Sequence, residues 1–432
     1  MKTLRKQRFG WYVYDWANSA FSTTVVTVFL GPYLTSVAES AMDPSGHISP
    51  FGITMHPGSW FSYCVALSVV LQVFVLPAVG AIVDRSHRKR LMLGVFALLG
   101  AIATMCLYVL SPTAHNYILG GGLFILANLA FGASVVVSNS FLTDLATPEE
   151  RDAVSSRGWA LGYLGGGLLL LVHLLWYSAA KDTGSNVELA IRGIIASAGL
   201  WWALFTIVPL LTLKDSARKE REPIRLRASF TQLWNTLKHL RNYPQTLLFF
   251  LAYLLYNDAV QTVLTMASVY GNKELGLGLD VLTQAILLVQ FVAIAGSLMF
   301  ERVAAWTSTK RAIIIALVGW CGVLLSAFFF VKTALDFTIL AAIIAIVMGG
   351  TQALSRSLFS QMIPRGKEAE YFSLYEISDK GTSWIGPLAF GIALSLTNSY
   401  RWAVLSLIIF LFAGLVVLIR VNVQQAIREA EE

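Results

Sequence analysis

The chain has 432 residues, of which 56% are hydrophobic and 13% charged, with a mean hydropathy of +0.65 and a formal net charge of +7. A soluble globular domain carries about 25% charged residues, so this composition excludes a water-soluble fold and calls for a surface that faces lipid. Cys64, Cys106 and Cys321 all fall inside apolar runs without metal-type spacing, so neither a metal site nor a disulfide is expected.

In chain order, a short basic stretch at 1–10 leads straight into a long apolar run, with no short apolar core and small-residue cleavage site. That first run is read as a retained membrane helix. Apolar runs bounded by charges, Gly or Pro fall at 10–38, 59–83, 91–110, 117–143, 157–178 and 190–213. After a polar stretch, six more fall at 245–270, 281–301, 311–331, 337–362, 371–397 and 400–420. Runs of this length satisfy their backbone groups in lipid only as helices, which predicts an all-α membrane protein of twelve transmembrane helices. Two six-helix halves are expected at 1–213 and 244–432, the second ending in a short tail. The linker at 214–243 places Phe230, Leu233, Trp234, Leu237 and Leu240 at helical spacing, with Lys238 and Arg241 among them. This predicts an amphipathic helix on the membrane face or packed against the bundle.

Charge fixes the expected orientation. Loops that share a side with the N-terminus hold 25 of the 32 Lys and Arg residues, and the opposite loops hold four. The positive-inside rule then puts both termini in the cytoplasm and assigns the net charge to topology, so no nucleic-acid partner is expected. Gly80-Ala-Ile-Val-Asp84-Arg85 and Gly296-Ser-Leu-Met-Phe300-Glu301-Arg302 stand 216 residues apart. Pro148-Glu-Glu-Arg151 and Pro364-Arg-Gly-Lys367 share that offset, half the chain, which predicts a parallel internal repeat.

Several spans carry polar stripes. Trp11, Asp15, Asn18 and Ser22 fall within about 60° on a wheel of 3.6 residues per turn. Asn128, Gly132, Asn139 and Thr143 form a second stripe. Asp258, Gln261, Thr262 and Thr265 form a third, with Tyr253 and Asn257 beside it. Such stripes face a water-filled cavity or act as interhelical glue. Asp258 sits halfway along its span, where an ionised carboxylate costs about 2.5–3.5 kcal/mol, so it is the first candidate for proton coupling. Glu376, Asp379 and Lys380 sit within five residues of one another inside another apolar run and are further candidates for proton coupling. Glu376 precedes Lys380 by four, the better order for a helical ion pair. Asp15 lies nearer a membrane edge, as a gate or packing residue, and Asp144 is expected to pair with Arg151 or Arg157. His47 and His56 are read as loop residues.

The segment Gly80-Ala-Ile-Val-Asp84-Arg85-Ser-His87-Arg88-Lys89-Arg90 resembles the signature between helices 2 and 3 of the major facilitator superfamily, with His87 in place of the usual second glycine. The resemblance implies a cytoplasmic latch formed by Gly80, Asp84, Arg85 and Arg88; the plainer reading is a basic stop-transfer loop. Four further segments resemble the bacterial branch related to the fungal autophagy-associated vacuolar amino-acid exporters. They are Tyr14-Asp15-Trp16-Ala17-Asn18-Ser19-Ala20-Phe21, Asn139 to Arg151 running on to Gly167, Tyr256-Asn257-Asp258-Ala-Val-Gln261-Thr, and Gly349-Gly350-Thr-Gln352-Ala-Leu-Ser355-Arg356-Ser. The resemblance implies a major facilitator fold, spans 1, 4, 7 and 10 around a central cavity, and a bacterial cytoplasmic (inner) membrane location. Gln352 joins the candidate cavity residues on that ground. Gly158, Gly162, Gly165, Gly166 and Gly167 imply close helix packing, and the absence of an embedded Arg in span 4 weakens the case for protons.

The expected function is secondary active transport of a small polar organic solute by alternating access, with amino acids and protons as candidate cargo and coupling ion. No enzyme activity and no cofactor are expected, and a monomer is. An exporter of lipophilic drugs or lipids would need an apolar, aromatic cavity. A membrane receptor or scaffold would carry larger soluble segments.

Overall fold

The computed structural model describes residues 2–86, 88–184, 186–215, 243–381 and 385–431, with the backbone alone for Lys2, Leu279, Asp280 and Lys380. The amphipathic helix expected at 229–241 and the Glu376–Lys380 pair therefore lie outside the described residues.

Eleven described helices are long and apolar enough to cross a bilayer. Spans 1 to 6 are Thr3–Glu39, Pro57–Ser86, Lys89–Val109, Tyr117–Leu145, Pro148–Asp182 and Val187–Thr212. Spans 7 to 10 are Pro244–Lys273, Val281–Trp306, Thr309–Phe329 and Ala334–Gln361, and span 12 is Tyr400–Arg420. Of span 11, the described parts are the helices Glu368–Gly381 and Ile385–Thr397. Each piece is about 20 Å long at 1.5 Å per residue, too short alone for a core about 30 Å thick but long enough together. The fold is an all-α, twelve-helix membrane bundle, and the described residues hold no strand. Span starts carry the expected signals: Pro57, Pro148 and Pro244 open spans 2, 5 and 7, and Thr147–Glu150 and Thr333–Asp336 form capping boxes.

Span 1 departs from α geometry. Phe21–Phe29 winds as a π-helix, and the Thr27 hydroxyl donates to the carbonyl of Ser22, five residues back, at 2.8 Å. Such wide turns insert an extra residue and gather at functional sites.

Buried apolar side chains form two clusters. One runs from Trp11 to Leu213 and adds Ala369; the other runs from Phe249 to Ala426 and adds Tyr163. One end of the bundle carries both chain ends. There Arg8 pairs with Glu150, Arg90 N–H meets Asp215, and Gln245 meets Gln425 and Glu429 of a C-terminal helix, Val423–Glu431. At the opposite end Ser40 donates to the Pro112 carbonyl. Arg401 clamps Glu274 and the carbonyls of Ala327, Phe328 and Val331, the last turn of span 9 and the residues after it.

The first and last six spans meet at the terminus-bearing end. Asp84 accepts from the N–H groups of Ala369 and Glu370 at 2.9 and 2.8 Å, and Ser155 donates to the Ala353 carbonyl at 2.7 Å. Arg151 donates to the Ser360 carbonyl at 2.8 Å. The 216-residue echo does not extend to contacts: a Cβ on Gly80 would meet Ala369 of span 11, one on Gly296 Ile346 of span 10.

Candidate functional site

Tyr253, Asn257 and Gln261 are spaced by four on span 7 and therefore stand above one another on one face. All three donate to one oxygen of Asp379 on span 11: Tyr253 Oη at 3.0 Å, Asn257 Nδ2 at 2.9 Å and Gln261 Nε2 at 3.3 Å. Three donors on one carboxylate oxygen stabilise the anion and hold it in a fixed direction. Asn257 is fixed in turn, because its Oδ1 accepts from Gln352 Nε2 of span 10 at 3.1 Å. Aromatic rings back the cluster: Tyr253 stacks on Tyr375 with centroids 4.3 Å apart, and Phe359 stacks on the same ring at 5.1 Å.

One helical turn beyond Gln352 lies Arg356, a residue only 4% exposed. Its Nη1 donates to Asp15 Oδ2 at 3.1 Å and to Asn139 Oδ1 at 3.3 Å. Its Nε and Nη2 donate to the hydroxyl and carbonyl of Ser155, both at 2.9 Å. The rings of Trp11 and Trp159 lie 4.7 and 5.3 Å from the guanidinium carbon. Spans 1, 4, 5 and 10 thus converge on one cation.

Asp258 is buried on span 7, and neither of its carboxylate oxygens has a hydrogen-bond partner among the described residues. It faces Gly386 of span 11, where a Cβ would lie 2.9 Å from Oδ2. Thr262 beside it donates to its own helix, at the Asp258 carbonyl. Glu376 is buried on span 11.

Other stripe residues do not join this constellation. Asn128 is turned to span 2, where it donates to Ser68 and its carbonyl accepts from Gln72. These bonds tie span 4 to span 2. Ser22 donates to Ser19 of its own helix. Asn18 is buried on span 1. The span 5 glycines do pack closely: a Cβ on Gly158, Gly162, Gly165 or Gly166 would press on span 1, and one on Gly167 on Gln290 of span 8.

At the end of span 2, Gly80 and Asp84 dock on the first turn of span 11, with the Cβ position of Gly80 only 2.5 Å from the Ala369 carbonyl. Arg85 is half-buried and Arg88 exposed. The basic residue that engages is Lys89, which donates to Asp144 at 2.8 Å and to the Ser140 carbonyl at 3.1 Å. This corrects the pairing expected for Asp144. Arg151 reaches Ser360 and Arg157 reaches Glu301 instead.

A family profile described as vacuole effluxer Atg22-like matches residues 3–431. The chain belongs to that family. The Atg22-like chain is 33% identical to the uncharacterized MFS-type transporter YxiO of Bacillus subtilis over 422 residues, 97% of this chain and 95% of that one. It is 28% identical to autophagy-related protein 22 of Eremothecium gossypii over 477 residues, 98% of this chain and 92% of that one. Among solved structures, the proton:xylose symporter XylE superposes with a TM-score of 0.74 at 12% identity, covering 96% and 95% of the two chains. The fucose:proton symporter FucP of E. coli follows at 0.70 and 11%, covering 98% and 99%. This Atg22-like protein is a multi-pass membrane transporter of the major facilitator type and not an enzyme.

Sequence reasoning missed Arg356 as a site residue, although a cation inside span 10 is a signal in itself. It also missed His173, buried on span 5 of this Atg22-like bundle. Its Nε2 lies 2.8 Å from the Ser197 hydroxyl. Its Nδ1 lies 3.2 Å from the hydroxyl of Thr24, in the π-helical stretch.

Proposed function

We propose that this Atg22-like protein moves a small polar organic solute across the membrane by alternating access, with its two six-helix halves rocking about the constellation around Asp379. The observation that carries this reading is Asp379 itself, a carboxylate held by Tyr253, Asn257 and Gln261 and linked through Gln352 to the contact between the halves. A fixed anion beside stacked tyrosines recognises a cationic or strongly hydrogen-bonding group on the solute. Amino acids are the first class to try, in keeping with the sequence resemblance. A carrier of lipophilic drugs or lipids would line this region with apolar groups, whereas the groups here are amide, hydroxyl and carboxylate.

Asp258 is the proposed proton carrier. Buried and with no hydrogen-bond partner for either oxygen among the described residues, its anion is costly unless water or a proton reaches it, and rocking changes which side supplies either. The terminus-bearing end is assigned to the cytoplasm from the 25-to-4 charge split.

The test is a ligand screen by thermal shift on purified protein, with amino acids, dipeptides, sugars and hydrophobic drugs in parallel. Stabilisation by polar solutes, lost in Asp379→Asn, supports the reading. Stabilisation by hydrophobic compounds alone overturns it.

A further inference from the structure

We infer that the Asp15–Arg356 pair is the bolt of the gate at the terminus-bearing end, made when that end shuts and broken when it opens, and that Gly158 is the seat that lets it close. This inference deepens the alternating-access reading and rests on it.

Among the described residues, every hydrogen-bond and ring partner of the Arg356 guanidinium belongs to the first six spans: the Asp15 carboxylate, the Asn139 amide, the hydroxyl and carbonyl of Ser155, and the rings of Trp11 and Trp159. Arg356 itself belongs to the last six. A rigid rocking motion therefore removes all of them together, and the contact has two arrangements, made or unmade, with little between. In the made state both charges are shielded, with side chains 4% and 14% exposed, so each depends on the other for compensation. In the unmade state water entering from that end hydrates both.

Other cross-contacts at this end differ in kind. Arg157–Glu301 has an arginine side chain 57% exposed, and an exposed pair of that sort contributes little. Thr309 to Asp152 and Arg151 to the Ser360 carbonyl each join a charge to a neutral group. Among the described residues, the bolt is the buried ion pair between the halves.

Gly158 supplies the second observation. A Cβ there would lie 2.6 Å from Asp15 Oδ2, 2.8 Å from a ring carbon of Trp11 and 3.0 Å from Arg356 Nη2. The hydrogen at this position leaves room for carboxylate, guanidinium and indole to meet. A methyl group would push on all three while leaving both charges in the protein.

The experiment follows the gate itself. In protein with Cys64, Cys106 and Cys321 replaced by Ser, Ser357→Cys provides a near-isosteric reporter that is fully buried in the shut state, next to Arg356. Membranes exposing the terminus-bearing face are treated with a membrane-impermeant maleimide. Because the open state of a two-state gate is populated at about 0.1–10%, unbolting raises the labelling rate about tenfold or more. Gly158→Ala and Asp15→Asn are expected to label that much faster than the parent. The double variant Asp15→Asn with Arg356→Gln should label more slowly than Asp15→Asn alone, since no stranded cation remains to force the gate. Parent-rate labelling of folded Gly158→Ala and Asp15→Asn overturns the bolt, as does a double variant that labels faster than both. If Asp15→Asn fails to fold, Gly158→Ala decides. A reporter that responds to solute but ignores all gate variants removes the bolt and keeps alternating access. One that never responds to the polar solute that stabilises the protein in the thermal-shift screen, in any variant, removes alternating access.

Discussion

At the scale of single residues, two carboxylates on facing helices have opposite surroundings. Asp379 is met by three donors, whereas Asp258 has none among the described residues. Asp379→Asn keeps the shape and the acceptor oxygen, so the fold should survive. Losing the charge removes a charged hydrogen bond to solute of about 1.5–3 kcal/mol, which weakens solute binding roughly ten- to hundredfold in a titration on purified protein. Binding at wild-type strength would take Asp379 out of the solute site. Asp258→Asn should abolish gradient-driven accumulation while sparing exchange, because exchange moves no net proton. Proteoliposomes loaded with solute separate the two modes, and wild-type accumulation would dismiss Asp258 as the coupling residue.

At the scale of elements, the π-helical stretch of span 1 is held from outside by His173. Replacing that ring with a methyl group in His173→Ala removes two hydrogen bonds and opens a cavity, at a cost of about 2–4 kcal/mol. Hydrogen exchange should speed up across Phe21–Phe29 before it does in the α-helical part of span 1. Uniform protection along span 1 would show that the stretch holds itself. None of this was legible beforehand, because Phe21-Ser-Thr-Thr-Val-Val-Thr-Val-Phe29 is only an apolar run rich in β-branched residues. The spans themselves were legible, since crossing lipid depends on length and hydropathy, both local properties. Polar stripes were half legible. A helical wheel gives the direction a side chain takes from its own axis but not which neighbour stands there. Asp258, Gln261, Thr262 and Thr265, with Tyr253 and Asn257 beside them, therefore read as one polar side without revealing Asp379, and the stripe through Asn128 did not reveal its bond to Ser68 of span 2. The partner of Asp144 failed for the same reason: Arg151 and Arg157 are near in sequence, while Lys89 is near in space.

At the scale of the whole molecule, the ends of the bundle carry different chemistry. Basic loops and the polar cross-contacts between the halves share the terminus-bearing end, so orientation and gate are tied together. Topology reporters inserted within 39–57 should read as external, and those within 214–243 as cytoplasmic. A cytoplasmic signal from the first loop would break the twelve-span arrangement. The latch of Gly80 and Asp84 on span 11 gives the same end a second closure, at the membrane surface and away from the buried ion pair.

The span between Asp15 and Arg356 also has a meaning in time. The two residues are 341 positions apart, so a ribosome working at about 5–20 residues per second delivers the arginine roughly 20–70 s after the aspartate. Through that interval span 1 sits in the bilayer with a carboxylate whose counter-charge has not been made, at a cost of about 2.5–3.5 kcal/mol if it is ionised near the centre. The nascent first half must hold that group hydrated, protonated or at the membrane edge until span 10 arrives. A fragment of residues 1–213 made alone should accordingly be degraded quickly, and co-expression with 244–432 should rescue it. The rescue should be weaker when the second fragment carries Arg356→Gln. Equal lifetimes for the first fragment, alone or accompanied, would mean that it needs no late counter-charge to persist.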